Sequence, residues 1–329
     1  MIKNLLFKIL VGIMLMINVS YLSAQDPHFT QYYANPLYLN PAFAGTQVCP
    51  RLIFNYRNQW PQLSGTFVTY NASYDQHIDG ITGGLGFYVL SDRAGQGTIN
   101  TVSYNGIYSY RLVVNRSLSI KAGLQLGYQE KKLDWGKLTF GDQIDPKDGF
   151  IYNTSEVQPP LKKGYVDFSA GFLVYSESMF LGFAAHHLTE PEEGFINEGK
   201  LPMKITVHAG GIIPFEKRRR GKRKITDPSF SPNILYMQQR DFQQINYGFY
   251  INKYPLVGGL WYRQSTQNSD AFIALIGFQQ SMFKIGYSYD LTVSKLSNAS
   301  GGSHEISFAW QFDCRPKKKK LRAISCPSF

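Results

Sequence analysis

From Arg51 onward, short segments in which apolar and polar side chains alternate recur along the sequence, and this periodicity constrains the fold more than any other feature. In residues 118–129, Leu, Ile, Ala, Leu, Leu and Tyr alternate with Ser, Lys, Gly, Gln, Gly and Gln. Because successive side chains of a β-strand point to opposite faces, this period of two predicts strands with one apolar and one polar face. Fourteen such segments occur, near residues 51–59, 66–75, 83–91, 98–113, 117–130, 163–175, 178–187, 201–214, 229–240, 243–252, 255–264, 270–279, 281–290 and 302–313. The chain is therefore predicted to be all-β.

The composition of the two faces favours a transmembrane antiparallel β-barrel of about 14 strands. The segments are about ten residues long, as tilted membrane-crossing strands require. Their polar face is rich in Gly, Ser, Asn and Gln, which suits a wet lumen, and their apolar face is rich in aromatic side chains. A soluble sandwich also alternates and stays the alternative fold. An even number of strands lets a barrel close without a free edge, which satisfies every backbone hydrogen bond in lipid.

The lengths of the connections predict the orientation of the barrel. If the chain starts on the inner, periplasmic side, the long connections 131–162, 188–200 and 291–301 face outward, and tight turns face inward. Outer-membrane barrels have this asymmetry of long outer loops and short inner turns. The inward connection 215–228 is the exception.

The first fifty residues divide into two parts. Residues 1–24 predict a cleaved secretory signal peptide, with Lys3 and Lys8 before the apolar run 9–17 and small residues at its end. Export together with a barrel predicts the outer membrane. Residues 25–50 form an irregular segment, too aromatic to stay free in water, which we expect to plug the lumen or to pack beneath the barrel. The barrel then spans residues 51–313, and a basic periplasmic tail spans 314–329.

The net charge of +11 comes from two basic runs, at residues 217–224 and 315–322, and the rest of the chain is close to neutral. Both runs lie on the predicted periplasmic side. They are expected either to lie near anionic lipid headgroups or to form a docking surface for a periplasmic partner. Export argues against nucleic acid as the partner. The candidate contact residues are Arg218, Arg219, Arg220, Lys318 and Lys319.

The three cysteines all follow the predicted signal peptide, so disulfides are permitted. Cys314 and Cys326 bracket the second basic run and are predicted to pair, which leaves Cys49 free or buried. Their spacings fit no zinc pattern.

No motif predicts catalysis, a metal or a cofactor. The run Gly83–Gly86 lies in a strand pattern with no helix after it, which argues against a phosphate-binding loop. His186 and His187 are expected on opposite faces of a strand, so they could not bind one metal together. Three aspartates of the longest outward loop lack the spacing of a calcium loop: Asp142, Asp145 and Asp148. No nucleophile signature of a hydrolase is present.

Several motifs together resemble those of one family. They are the opening segment QDPHFTQYYANPLYLNPAFAG (25–45), YRNQWP (56–61), GGLWYR (258–263), GYSYD (286–290), GGSHEI (301–306) and the terminal CPSF (326–329). On these residues the chain resembles the PorP/SprF family of type IX secretion outer-membrane proteins, over essentially all of its length after the signal peptide.

The resemblance implies a function that the residues alone do not. The family works with the type IX secretion machinery of gliding and some pathogenic bacteria. One branch accompanies the periplasmic ring of the machine. Another is needed to export, and to hold at the cell surface, large adhesins that carry a C-terminal targeting domain. We therefore expect a barrel that binds and anchors, or helps export, a secreted adhesin, with periplasmic secretion components and outer-membrane lipids as further partners. A ring-associated structural component and a diffusion porin or solute channel are the alternatives.

Three residues are candidates for gripping this client. Arg57 and Trp60 lie at the predicted outward end of the first strand, and Asp290 lies at the outward end of the thirteenth. The first strand and the near-last strand could therefore join at one rim of the barrel.

Overall fold

The structure is a computed structural model, and it describes residues 26–115, 117–195, 199–215, 227–265, 269–293 and 301–314. The predicted signal peptide, both basic runs and Cys326 lie outside these residues. The predictions for Arg218, Arg219, Arg220, Lys318 and Lys319 therefore stay predictions.

Fourteen strands form one closed antiparallel barrel, as predicted. Each strand pairs with its neighbours in the chain, and the last strand pairs with the first. The predicted strand boundaries differ from the observed ones by at most three residues. The strands are β1 (Arg51–Gln59), β2 (Phe67–Ile78), β3 (Gly83–Ala94), β4 (Ile99–Val113), β5 (Ser119–Leu133), β6 (Lys162–Tyr175), β7 (Met179–His186), β8 (Lys204–Gly211), β9 (Ser229–Gln239), β10 (Phe242–Lys253), β11 (Leu256–Ser265), β12 (Ser269–Gln279), β13 (Phe283–Thr292) and β14 (Ser303–Gln311).

The two faces of the barrel wall separate polar from apolar side chains. In β1, Asn55 and Arg57 point inward and are buried, whereas Phe54, just before Asn55, points outward and is 46% exposed. The same alternation runs through the other strands, so aliphatic and aromatic side chains cover the exterior. This is the distribution expected of a barrel in lipid.

No helix among the described residues is long and apolar enough to cross a membrane.

The two ends of the barrel differ in their connections. We call the end where β1 begins and β14 ends the terminal end, and the opposite end the loop end. The terminal end has short connections such as 79–82 and 254–255, and the loop end carries the long connections 134–161 and 187–203. Within 134–161, the two-residue strands Ile144–Asp145 and Gly149–Phe150 pair, next to the 3₁₀ helices Trp135–Lys137 and Gly141–Gln143.

A disulfide joins Cys49 to Cys314 at the terminal end, so the predicted Cys314–Cys326 pair is wrong. Barrel closure explains the actual pairing. Because β1 and β14 are antiparallel neighbours, Arg51 lies opposite Gln311, and the residues just outside these two strands meet. The two cysteines are 265 residues apart in sequence, with a Cα–Cα distance of 5.6 Å.

Residues 26–46, which we call the luminal segment, run through the inside of the barrel. The segment consists of short turns, namely the 3₁₀ helices Tyr32–Ala34 and Pro41–Phe43 with the helix α1 (Pro36–Leu39) between them. Two of these turns begin at a proline, whose fixed φ suits the first position of a helix. The Asn40 side chain accepts a hydrogen bond from the Ala42 N–H and so caps the last turn.

The luminal segment starts at the loop end and finishes at the terminal end. Asp26 contacts Lys204, at the loop-end start of β8, and Gly45 contacts Asp75, near the terminal end of β2. The described part of the segment therefore begins at the loop end.

The hydrophobic core lies inside the barrel. Leu37 and Phe43 of the luminal segment are buried against inward-facing wall residues such as Leu173 and Trp261. Each such side chain contributes about 1.5–3 kcal/mol through its burial. Much of the lumen is therefore packed.

Candidate functional site: the luminal segment and the loop-end cavity

Inward-facing glycines let the luminal segment lie directly on the wall in the terminal-end half. A β-carbon on Gly123 would overlap the backbone nitrogen of Ala42, and one on Gly84 would overlap the backbone of Ala44. These strand glycines are therefore required by the close approach of a second backbone. The glycine run that includes Gly84 and Gly86 thus lets the luminal segment pack against β3.

Three further contacts hold the end of the segment. The Asp75 carboxylate accepts a hydrogen bond from the Gly45 N–H at 2.9 Å and pairs with Arg51 at 2.9 Å. The Ala44 carbonyl accepts hydrogen bonds from Ser109, at 2.6 Å, and from Lys121. Charged wall residues here recognise backbone atoms of the segment.

Nearer the loop end, a buried network of four charged groups binds the segment. The Asp290 carboxylate accepts from Arg57 at 3.0 Å and from Arg263 at 2.8 Å. The Glu305 carboxylate pairs with Arg57 at 3.3 Å and accepts from the Thr30 N–H at 2.6 Å. Two positive and two negative groups balance, which buried charges require if they are to stay ionised.

The structure brings two of the three predicted grip residues together. Arg57 and Asp290 are each 1% exposed, and both belong to the network that binds the luminal segment. Trp60 lies apart from them: its backbone N–H donates to the Gly302 carbonyl, and its ring packs against Phe67. A role in partner binding stays a prediction for all three residues.

A second network anchors Asp26 at the loop end. Its carboxylate accepts from Lys204 at 2.6 Å and from His187 Nε2 at 2.8 Å, and His187 Nδ1 contacts Asp167 at 2.8 Å. Burial lowers the pKa of His187, but the Asp26 and Asp167 carboxylates outweigh it and raise the pKa to about 9. His187 is therefore protonated at neutral pH and donates to both carboxylates.

The expectation that His186 and His187 lie on opposite faces is wrong. β7 ends at His186, and His187 follows with a φ of 57°, which breaks the alternation of the strand. Both side chains are buried, with ring centroids 6.4 Å apart.

A cavity of about 410 Å³ lies at the loop end, bordered by the first residues of the luminal segment and by the wall strands β1 to β8. Tyr38 and His28 of the segment line it, together with wall residues such as Tyr88, Gln125 and Asp167. We call it the loop-end cavity.

The aspartates of the longest loop bind their own loop. Asp142 accepts from the Ser155 N–H at 2.6 Å, and Asp145 accepts from the Lys147 N–H at 2.8 Å and the Tyr152 hydroxyl at 3.0 Å. Their hydrogen bonds, led in each case by a backbone N–H, lower the pKa of both carboxyls. Across the described ranges, no three His, Cys, Asp or Glu side chains are grouped to hold a metal ion.

Sequence reasoning missed several residues of these networks: Asp26, Arg51, Asp75, Asp167, His187, Lys204, Arg263 and Glu305. One signal could have found the strand residues among them, because each is a charged residue at an inward position of its strand. Arg263 and Glu305 also lie in motifs that carry the family resemblance.

The chain is similar to one protein family and to several solved structures. Residues 22–310 match the family model described as "Type IX secretion system membrane protein PorP/SprF". A FadL homologue of Pseudomonas aeruginosa is 13% identical, with 83% of this chain and 93% of that chain covered and a TM-score of 0.44. Omp33 of Acinetobacter baumannii is 5% identical, with 82% of this chain and 100% of that chain covered and a TM-score of 0.45. The CymD monoaromatic hydrocarbon channel is 12% identical, with 86% of this chain and 94% of that chain covered and a TM-score of 0.47. Curated protein sequences give no match.

Proposed function

We propose that this chain, which belongs to the PorP/SprF family of type IX secretion system membrane proteins, binds a secreted adhesin at its loop end. The contact would be made with the C-terminal targeting domain of the adhesin, and it would anchor the adhesin or help its export. The chain would reach the outer membrane after cleavage of the predicted signal peptide.

An ordered loop that exposes apolar side chains carries this proposal. In the 134–161 connection, Phe150, Ile151 and Tyr152 are each more than half exposed, and Val157 is 88% exposed. The hydrogen bonds of Asp142 and Asp145 hold this part of the loop in shape. The loop lies beyond the ends of the wall strands on either side of it. Exposed apolar groups on an ordered surface favour a protein partner.

The filled lumen argues against the alternative of a diffusion porin. The luminal segment packs against the glycines of the wall in the terminal-end half, and its apolar side chains are buried there. A diffusion pore needs a continuous water-filled path, which this packing opposes. The alternative of a ring-associated component would use the basic runs, which lie outside the described residues.

The test is co-purification from cells in mild detergent, with two matched double variants of the same loop. Phe150→Ser with Val157→Ser removes apolar contact area and should lose the adhesin. Lys147→Ser with Glu156→Ser changes exposed polar side chains of that loop and should retain it. Both barrels should assemble normally, as checked by their mobility on unheated gels.

Two outcomes would contradict the proposal. The apolar double variant could retain the adhesin as well as the unmodified protein does. Alternatively, the intact barrel could pass small solutes steadily in a planar bilayer and co-purify with no secreted protein, as a porin would.

A further inference from the structure

We propose that the loop-end cavity binds an alkylammonium group at Asp92, the chemistry of a lysine side chain or of a small free amine. The inference goes beyond the proposed role with an adhesin and does not depend on it, because it rests on the residues that line one wall of the cavity.

The charged groups on the cavity lining leave one carboxylate without a cation. Of the four carboxylates there, three form ion pairs, namely Glu193 with Lys131 at 3.0 Å, Asp26 with Lys204 at 2.6 Å and Asp167 with His187 at 2.8 Å. The fourth, Asp92, has no ion pair among the described residues. A partly buried carboxylate without a counter-ion is costly, so it favours a cation that can reach it.

The neighbours of Asp92 complete a set of oxygen acceptors. Asp92 lies opposite Thr69 on β2 and opposite Thr101 on β4, so the three side chains form one row on the cavity lining. The Thr69 hydroxyl donates to one Asp92 oxygen at 2.6 Å. The other Asp92 oxygen and the Thr101 hydroxyl have no hydrogen-bond partner among the described residues, and neither is sealed from solvent, unlike the unpartnered side-chain oxygens of Gln125 and Ser169. An ammonium group has three N–H donors and no acceptor, which this row of oxygens matches.

The rim above this row favours a cation that is carried on an apolar stem. Two residues nearer the loop end, on the same three strands and the same face, lie Phe67, Ala94 and Ile99, which also line the cavity. A ligand that enters from the loop end therefore passes apolar side chains before it meets the carboxylate. A lysine side chain has this order of groups, with a four-carbon stem behind its charged end. An inorganic cation has no apolar part to contact the rim.

Lys131 is the internal competitor for Asp92. It lies opposite Thr101 on β5, and therefore two strands away from Asp92. The Lys131 amine is instead held at 3.0 Å by Glu193, which belongs to the 187–203 connection. This ion pair leaves Asp92 available to a cation from outside the protein.

Calorimetric titration of the purified protein tests the proposal. The probe is n-butylamine at pH 7, which copies the four-carbon side chain of lysine and, like lysine, is protonated at that pH. Butanol has the same stem without the charge and is the matched control probe. Butylamine should bind saturably, and butanol should not.

A matched pair of aspartate variants locates the binding. Asp92→Asn removes the charge but keeps an oxygen for the Thr69 hydroxyl. It should weaken the binding of butylamine at least about tenfold, the effect of one lost hydrogen bond to a charged group. Asp241→Asn is the control, because this carboxylate is exposed at the loop end beside Arg240 but does not line the cavity. The affinity of the control variant should match that of the unmodified protein.

A third variant tests the row of oxygens without changing any charge. Thr101→Val should weaken the binding of butylamine about two- to tenfold, the effect of one lost hydrogen bond. It should leave the unfolding temperature unchanged, because the Thr101 hydroxyl has no partner among the described residues to lose.

Three outcomes would show that the proposal is wrong. Butylamine could fail to bind at tens of millimolar, butanol could bind equally well, or Asp92→Asn could bind butylamine as well as Asp241→Asn does. Asp92 would then be neutralised within the protein, by a proton or by Lys131.

A second probe identifies the source of the ammonium group. In Nα-acetyl-lysine N-methylamide, the same amine is carried on a peptide backbone. If this probe binds as tightly as butylamine does, the site takes a lysine side chain of a partner protein. If only butylamine binds, the site takes a small free amine.

Discussion

The two halves of the lumen hold the same peptide segment by different means. In the terminal-end half, the backbone around Ala42 and Ala44 lies against glycines of the wall, and apolar side chains fill the remaining space. In the loop-end half, Asp26 and Thr30 are held by charged side chains, and a cavity stays open beside them. The strength of apolar packing changes little with pH and salt, whereas the strength of ion pairs depends on both. Asp75 and Lys121 also bind the segment in the terminal-end half, but there they act beside close packing. The hold on the segment should therefore depend more on pH and salt in the loop-end half of this outer-membrane barrel.

The largest effect is expected from removing the carboxylate that two buried arginines share. Asp290→Ala leaves Arg57 and Arg263 without their common partner. Leaving buried charge uncompensated costs about 3–5 kcal/mol. The free energy of unfolding, measured by urea titration in lipid vesicles, should fall by this amount.

The matched control for this prediction lies at an exposed ion cluster. Glu130 contacts Lys132 and Lys162, whose side chains are more than half exposed. Glu130→Ala should change the free energy of unfolding little, because water screens such pairs. If the free energy of unfolding falls equally in the two variants, the buried network stabilises the barrel no more than the exposed ion cluster does.

A smaller effect on the free energy of unfolding is expected from adding a methyl group at one glycine that contacts the luminal segment in the terminal-end half. The new methyl group of Gly123→Ala would overlap the Ala42 backbone, and overpacking of this kind costs about 1–3 kcal/mol. The luminal segment should also become more accessible to protease. Gly258→Ala is the control, since a β-carbon there would meet no atom within 4 Å. If the two glycine variants behave alike, the segment is not held by contact with the wall.

The smallest effect is expected from pH, and only at the loop end. Because the pKa of His187 is raised from 6.5 to about 9, its stabilising contribution is complete below pH 6.5 and is lost as pH rises through about 9. The unfolding temperature of the unmodified protein should therefore fall, relative to that of His187→Gln, between pH 7 and pH 10. A constant difference between the two proteins over this range would contradict the assignment of a protonated His187.

The strands were predictable because their cause is local. Inward and outward positions alternate residue by residue, so a pattern such as that of residues 118–129 is visible without any knowledge of the fold. The motif at residues 25–45 was also visible as a single unit, and its aromatic content led us to expect a packed segment. Its path from the loop end to the terminal end was not predictable, since it follows contacts between Asp26 and Lys204, or Gly45 and Asp75, that are far apart in sequence.

Two sequence predictions, the disulfide pairing and the face of His187, are wrong for reasons that only the folded barrel shows. Cys49 pairs with Cys314 because barrel closure joins the first strand to the last, whereas Cys326 is the nearer cysteine in sequence. His187 turns inward because its backbone leaves the strand conformation directly after β7.

The sequence by itself determined that the chain forms about 14 strands with an apolar exterior, since side-chain alternation is a property of each strand alone. Only the tertiary structure decided what occupies the lumen, which cysteines pair and which charges meet. These depend on closing the sheet into a barrel around the luminal segment, and closure brings together residues up to 276 positions apart, such as Gln31 and Ser307.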